Sequence, residues 1–133
     1  MKRRLSALAG LAVLCAGGCD ARYGVRGWVV PADDRPSLIT CSDMPPRPRE
    51  VIADARVELW RPGRQGPVAS DSTGVFEGEF SVGEIVPGHG GPLTYELKAA
   101  APGRRPFIGE IVLRSSGAEY VIIGLPRRRA GRP

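Results

Sequence analysis

The chain has 133 residues, the length of one ordinary domain, and 42% of them are hydrophobic, which is too many for a disordered protein. Its formal net charge is +5, and an overall excess of lysine and arginine is typical of nucleic-acid-binding proteins. The excess lies at the two ends, however, because residues 1–18 carry +3, residues 126–133 carry +4 and residues 19–125 carry −2. A slightly acidic middle argues against nucleic acid as the partner.

The first 18 residues have the pattern of an export signal. Residues 1–4 are cationic, residues 5–16 form an apolar run, and small residues follow. This run is too short to span a bilayer permanently, since the hydrocarbon core needs about 20 helical residues. The pattern therefore predicts that residues 1–18 are a signal peptide. No later segment is long and apolar enough to cross a membrane, so we expect the mature chain to be soluble apart from its anchor.

The end of this segment determines how the mature chain begins. Residues 16–19 are Ala-Gly-Gly-Cys. They resemble the lipobox of bacterial lipoproteins, although that family usually has leucine at the place of Ala16. The resemblance implies that Cys19 carries a diacylglycerol and that residues 19–21 form a lipid-anchored N-terminus. The alternative is an ordinary secretory signal cut after Gly18, which leaves Cys19 as a thiol able to form a disulfide with Cys41.

Hydrophobic and polar residues alternate with period two in six segments after Asp20, as in half-buried strands. These segments cover residues 23–29, 55–60, 76–82, 95–99, 107–113 and 119–125. No stretch after the signal shows the 3.6-residue period of a helix, and 18 glycines and 13 prolines disfavour long helices. Because each strand has one apolar face, we predict an all-β, Ig-like antiparallel sandwich of about seven strands over residues 22–125.

Two segments fall outside this alternation. Residues 31–50 hold five prolines and no clear strand, which predicts an extended insertion or a flap over one end of the domain. Residues 126–133 follow the last strand and predict a basic, disordered tail.

Four short blocks occur in a characteristic order. They are Val-Arg-Gly-Trp-Val at 25–29, Ala-Asp-Ala-Arg-Val-Glu-Leu at 53–59, Ser-Asp-Ser-Thr-Gly-Val-Phe at 70–76, and Tyr-Glu-Leu-Lys-Ala-Ala-Ala-Pro-Gly at 95–103. Residues 22–125 thereby resemble the carboxypeptidase regulatory-like domain, a transthyretin-like seven-stranded sandwich found in many exported bacterial proteins. The chain departs from that family in its longer 31–50 segment and in Arg104, which stands where an aromatic residue often follows the Pro-Gly turn.

Residues suited to catalysis or metal binding are few. The single histidine, His89, lies in a glycine-rich loop, whereas a zinc site usually needs three or four ligands. A transthyretin-related hydrolase family uses several histidines and a C-terminal Tyr-Arg-Gly-Ser motif, and this chain has neither. Glu77, Glu79 and Glu84 are assigned to an exposed polar face rather than to paired catalytic carboxylates. We therefore predict no enzymatic activity, no metal and no cofactor.

Two tryptophans and the basic tail are the candidate binding residues. Trp28 and Trp60 both fall on the outward phase of their strands, where two indoles would form a stacking platform for sugar or peptide. The alternative is that residues 31–50, or a partner, cover them. The tail arginines are candidates for contact with an anionic surface, either a membrane or a cell-wall polymer, against the alternative of a solvated end. They are Arg127, Arg128, Arg129 and Arg132.

Together these features predict a non-enzymatic exported lipoprotein of a bacterial cell envelope, anchored at Cys19 and facing the periplasm or the cell surface. Its sandwich is expected to act in structure or interaction, with an envelope protein or a cell-wall polymer as partner and exposed edge strands available for pairing. Two alternatives stay open: a carbohydrate-binding module that uses Trp28 and Trp60, and a secretion-system lipoprotein of the same fold. An enzyme with an unrecognised site is a further possibility.

Overall fold

A computed structural model of the protein describes residues 21–74, 77–88 and 90–129. Within them it has eight strands and no helix, which confirms the predicted all-β class, and no helix there is long and apolar enough to cross a membrane. The strands are β1 (Ala21–Ala32), β2 (Ser37–Cys41), β3 (Arg56–Trp60), β4 (Ala69–Ser72), β5 (Glu79–Val86), β6 (Leu93–Ala100), β7 (Phe107–Leu113) and β8 (Ser116–Pro126).

The strands form two four-stranded sheets, sheet A with the order β2-β8-β1-β5 and sheet B with the order β4-β3-β6-β7. The facing sides of the two sheets make the core, because alternate residues of each strand point inward. Fully buried side chains come from both sheets and include Tyr23, Val25, Val29, Val121 and Ile123 of sheet A and Val57, Leu59, Tyr95 and Leu97 of sheet B. The predicted sandwich is therefore confirmed, with eight strands in place of about seven.

Sheet A contains one parallel pair, and it sets the long axis of the molecule. β1 and β8 run side by side from the pair Arg22–Ser116 to the pair Ala32–Pro126. At about 3.3 Å per residue, these two pairs lie about 33 Å apart. We call the end with Arg22 and Ser116 the near end, and the end with Ala32 and Pro126 the far end.

The segment 31–50 is more ordered than its composition predicts. β1 continues to Ala32, and β2 pairs with β8 from Ser37 to Cys41. β2 shows no alternation in the sequence because it is a short edge strand in which Leu38 packs against the core while Ile39 and Thr40 are exposed. Residues 42–50 hold no strand, and they form a strap over the outer face of sheet A.

The predicted disordered tail is wrong for residues 126–128. Pro126 ends β8 and accepts a hydrogen bond from the Arg105 N–H, while the Arg128 N–H donates to the Gly103 carbonyl at 2.9 Å. The turn at Gly103, whose φ of 73° suits glycine, places the next residues beside the end of β8. Residues 130–133, and with them Arg132, lie outside the described part of the chain.

Candidate functional site

Trp28 lies on the outer face of sheet A beneath the strap. Its side chain is 8% exposed, and its indole N–H donates to the Pro45 carbonyl at 2.9 Å. The strap thus satisfies the polar atom of the ring and shields its faces, as the alternative interpretation from the sequence held. Little of the ring is left to stack on a ligand.

Trp60 lies at the end of β3 on the outer face of sheet B and is half-buried. Its indole N–H donates to Glu58 at 2.9 Å, and this hydrogen bond holds the pKa of that carboxyl below its ordinary value. The Lys98 ammonium stands 4.0 Å from the ring centroid, in a cation–π contact that occupies one face of the indole.

A shallow cavity of about 260 Å³ opens beside this ring, lined among others by Arg61, Arg64, Glu96 and Glu110. Because Trp28 belongs to sheet A and Trp60 to sheet B, the two indoles lie on opposite outer faces of the sandwich. The predicted joint platform is therefore not formed, and a stacking site on this domain involves Trp60 alone.

A polar cluster lies between the sheets on the side where β4 and β5 form the edges. The Tyr95 hydroxyl donates to Glu84 at 2.6 Å, and the Arg61 guanidinium Nε lies 2.7 Å from the same carboxylate oxygen. Glu84 therefore points inward and ties sheet A to sheet B, which corrects its assignment to the exposed polar face. Glu79 does lie outward, where it pairs with Arg26 at 2.7 Å.

The polar groups of this cluster are bonded to one another. Burial, followed by the hydrogen bond to Glu84, raises the pKa of Tyr95 far above its ordinary value, so the phenol stays protonated. The Glu84 carboxylate is occupied by two partners from the protein itself. Among residues 21–74, 77–88 and 90–129, no group of three His, Cys, Asp or Glu side chains is placed to hold a metal ion. His89 lies outside the described residues.

The far end carries a dense set of arginines that we call the arginine cluster: Arg35, Arg104, Arg105, Arg127, Arg128 and Arg129. The Arg104–Arg127 bridge brings the tail beside the turn after β6, and Arg105 Nη1 donates to the Asp34 carbonyl at 2.9 Å. In the described part of the chain none of the six pairs with a carboxylate, whereas Arg26, Arg56 and Arg61 each pair with a glutamate. Five of the six are exposed, and together they outnumber the two acids beside them, Asp33 and Asp34, so this end of the domain carries a net positive charge.

Cys41 is a free, half-buried thiol on β2. It pairs with Tyr120, whereas Ala21 lies level with residue 115, so the two positions are about 19 Å apart along and across sheet A. Two residues of chain reach about 7 Å from Ala21, and a disulfide needs Cα atoms within about 7 Å. A Cys19–Cys41 bridge therefore requires β1 to leave the sheet.

Comparison with known protein families, curated proteins and solved structures finds no match for this chain. The resemblances to the carboxypeptidase regulatory-like domain and to the lipobox stay predictions that the residues themselves carry.

Sequence reasoning missed two parts of this arrangement. The Glu84 cluster joins residues from three strands or their ends. Its one sequence signal is that Glu79 and Glu84 are five residues apart on the same strand, an odd number, so their side chains point to opposite faces. Arg104 and Arg105 lie beside the tail because the main chains of Arg104 and Arg127 form a bridge, and the sequence holds no local signal for that bridge.

Proposed function

We propose that this chain is a non-enzymatic lipoprotein of the bacterial cell envelope. In this proposal Cys19 carries the lipid, and a carboxypeptidase regulatory-like sandwich holds the arginine cluster away from the membrane. The cluster binds an anionic partner, either a cell-wall polymer or the acidic face of an envelope protein.

The parallel pairing of β1 with β8 is the observation that carries this proposal. β1 begins at Ala21, two residues after Cys19, so the lipid attaches directly at the near end. Exposed Arg22 and Ile85 are neighbours there across β1 and β5, a basic and an apolar side chain suited to an anionic bilayer surface. β8 then carries the chain to the far end before the tail arginines begin.

Distance separates the arginine cluster from the membrane when the domain stands upright on its anchor. The two ends lie about 33 Å apart, which is about four times the Debye length of about 8 Å at physiological ionic strength. The charge of the bilayer is therefore screened at Arg127–Arg129, and these arginines face outward. In this proposal the anchor and the tail do not contact the same bilayer. The anchor is in the membrane, and the tail contacts a second, anionic surface.

Binding to a polyanion tests this function. We expect the protein to bind immobilised dextran sulfate but not uncharged dextran, with an affinity that falls as salt rises. The triple variant Arg127→Gln, Arg128→Gln, Arg129→Gln should lose at least about tenfold in affinity at low salt, since each cation near an anionic surface contributes roughly 1 kcal/mol. Its folding should be unchanged, because the ordered contacts of this segment use the backbone.

The matched control removes the same charge elsewhere. Arg49, Arg64 and Arg114 are exposed and lie outside the cluster, so changing all three to glutamine should weaken binding by less than about threefold. Equal losses in the two triple variants would mean that net charge, not the cluster, attracts the polyanion, and the proposal would fail.

A carbohydrate-binding module is the second candidate, and the cavity beside Trp60 favours it. The cavity combines Trp60 with two arginines and two glutamates, a mixture of stacking and polar groups that suits a sugar. In a Trp28→Phe protein the remaining emission comes from Trp60, so a bound oligosaccharide should shift that emission and protect it from acrylamide. A glycan panel that leaves the emission unchanged, in a variant with normal folding, would remove this candidate.

A further inference from the structure

β7 is an open edge of sheet B. It pairs with β6 along its whole length from Phe107 to Leu113, and no strand of the described residues lies on its other side. Ile108 and Val112 lie on its outer face and are 58% and 55% exposed. Exposed aliphatic side chains on a long edge strand favour pairing with another chain.

The other three edges are short or covered. β4 has four residues, and its Asp71 side chain accepts the Ser81 N–H of β5 at 2.8 Å, which closes these two edges against each other. β2 has five residues and continues into the strap. β7 holds seven residues without a lysine or a proline, the residues that commonly block an edge.

The outer face beside β7 sets the chemistry of an added strand. Glu110 lies between Ile108 and Val112 along β7, and its cross-strand neighbour on β6 is another acid, Glu96. Glu96 has Lys98 at 3.6 Å, whereas Glu110 has no ion-pair partner among the described residues. A cavity of about 190 Å³, lined in part by Lys98, Pro106 and Ile108, adjoins the first aliphatic position.

We propose that β7 binds an extended segment of another protein, which adds a fifth strand to sheet B and carries the pattern apolar–x–Lys/Arg–x–apolar. The central cation would lie opposite Glu110, and the two apolar side chains would lie opposite Ile108 and Val112. This surface is separate from the arginine cluster and goes beyond the polyanion binding proposed above.

A second copy of this chain fits the edge less well. If two copies of β7 pair antiparallel with Glu110 at the centre, the two Glu110 carboxylates face each other. If Gly109 or Ile111 is at the centre, Glu110 faces an aliphatic side chain of the other copy. Centring on Val112 gives Glu110 a partner in Arg114. Antiparallel pairing also inverts one molecule, however, and the two near ends with their Cys19 anchors would point in opposite directions, a step that rests on the proposed anchor.

A phage-displayed heptapeptide library, selected on the mature protein in detergent, tests the proposal. We expect lysine or arginine at the centre of the selected pattern, enriched at least about fivefold over its library frequency. The Glu110→Lys variant should instead select aspartate or glutamate there, and Ile108→Lys should select no pattern. In hydrogen exchange, the most enriched peptide should slow exchange of residues 107–113.

Three results would each contradict strand addition at β7. A pattern that is the same for the Glu110→Lys variant, or protection confined to β2 or to the arginine cluster, would overturn the proposal. So would a dimer of the protein that Ile108→Lys dissociates, since self-pairing would then occupy the edge. Loss of dextran sulfate binding in the arginine triple variant bears only on the proposed function, because that variant leaves β7 intact.

Discussion

Replacing Gly27 with alanine is expected to prevent stable folding of the domain. A Cβ atom at Gly27 would lie 1.8 Å from the carbonyl oxygen of Val121 and 2.8 Å from its carbonyl carbon. Both atoms belong to the main chain of β8, which cannot rotate away as a side chain can. β1 and β8 would have to separate at the centre of sheet A, where Val25 and Val29 are fully buried. We expect a loss of more than about 4 kcal/mol, or no folded protein.

The same strand supplies the matched control. At Gly24 a new Cβ would meet the Val82 carbonyl oxygen at 3.5 Å and the Ala118 Cβ at 4.0 Å, which are ordinary van der Waals distances. Gly24→Ala should therefore change stability by no more than about 1 kcal/mol, because alanine meets no clash there and reduces the conformational freedom of the unfolded chain. Urea unfolding followed by tryptophan emission compares the two variants. Equal midpoints for Gly27→Ala and Gly24→Ala would show that the close approach of β1 and β8 is not required.

This contact matters for the proposed function because the parallel pairing of β1 and β8 separates the two ends of the molecule. Without it, nothing fixes the arginine cluster opposite the N-terminus of β1. In a folded Gly27→Ala protein with an altered β1–β8 register, the distance between the proposed anchor and the proposed binding surface would change. Stability and orientation therefore depend on the same glycine.

The sequence predicts most strands and the class of fold because alternation is a local signal. Tyr23, Val25 and Val29 share an apolar face in the sequence and the core in the structure, and the same holds for Val57 and Leu59. For β5 the alternation predicts a strand over residues 76–82, whereas the strand in the structure is Glu79–Val86. Its acidic and glycine residues obscure the ends of the alternation.

Pairing between strands leaves no comparable trace in the sequence. β1 and β8 are adjacent and parallel although about 90 residues separate them along the chain, and the period of either strand is the same for any partner. β2 was missed because only one of its side chains clearly packs on the core. The composition of residues 31–50 predicts an insertion or a flap over one end of the domain, whereas the strap lies over the outer face of sheet A. Its contact with Trp28 depends on the Pro45 carbonyl, which no side-chain pattern reveals.

The candidate site was predictable only residue by residue. Trp28 and Trp60 both occupy outward phases, as predicted, but phase does not tell which sheet a strand joins, and the two rings lie on opposite faces. The tail arginines are evident from composition. The distance of Arg127–Arg129 from Ala21 follows from the parallel pairing of β1 and β8, which the sequence does not reveal. The sequence alone therefore allows the proposed anchor and the tail to meet one surface.

Replacing Thr73 with valine is the second large effect we expect. Thr73 is fully buried, and its hydroxyl accepts the Ala55 N–H at 2.9 Å and donates to the Ile52 carbonyl at 2.8 Å. Valine has a similar shape but no hydroxyl, so both main-chain groups would be left buried without this partner. Since each unsatisfied buried group costs about 1–3 kcal/mol, we expect a loss of about 2–4 kcal/mol in the free energy of unfolding by urea.

Thr73→Ser is the control that separates the hydrogen bonds from packing. Serine keeps the hydroxyl and removes one methyl group, which should cost roughly 0.8 kcal/mol. The Thr73 N–H and carbonyl, which bond to Ala55 and Gly78, are unchanged in both variants. Compared with the natural protein, Thr73→Val therefore reports on the hydroxyl and Thr73→Ser on the methyl group. If Thr73→Val lost no more stability than Thr73→Ser, the hydroxyl would contribute no more than one methyl group, and the main-chain bonds would be the main link between the segment before β3 and the turn after β4. If serine lost as much as valine, the methyl contact would be the dominant contribution.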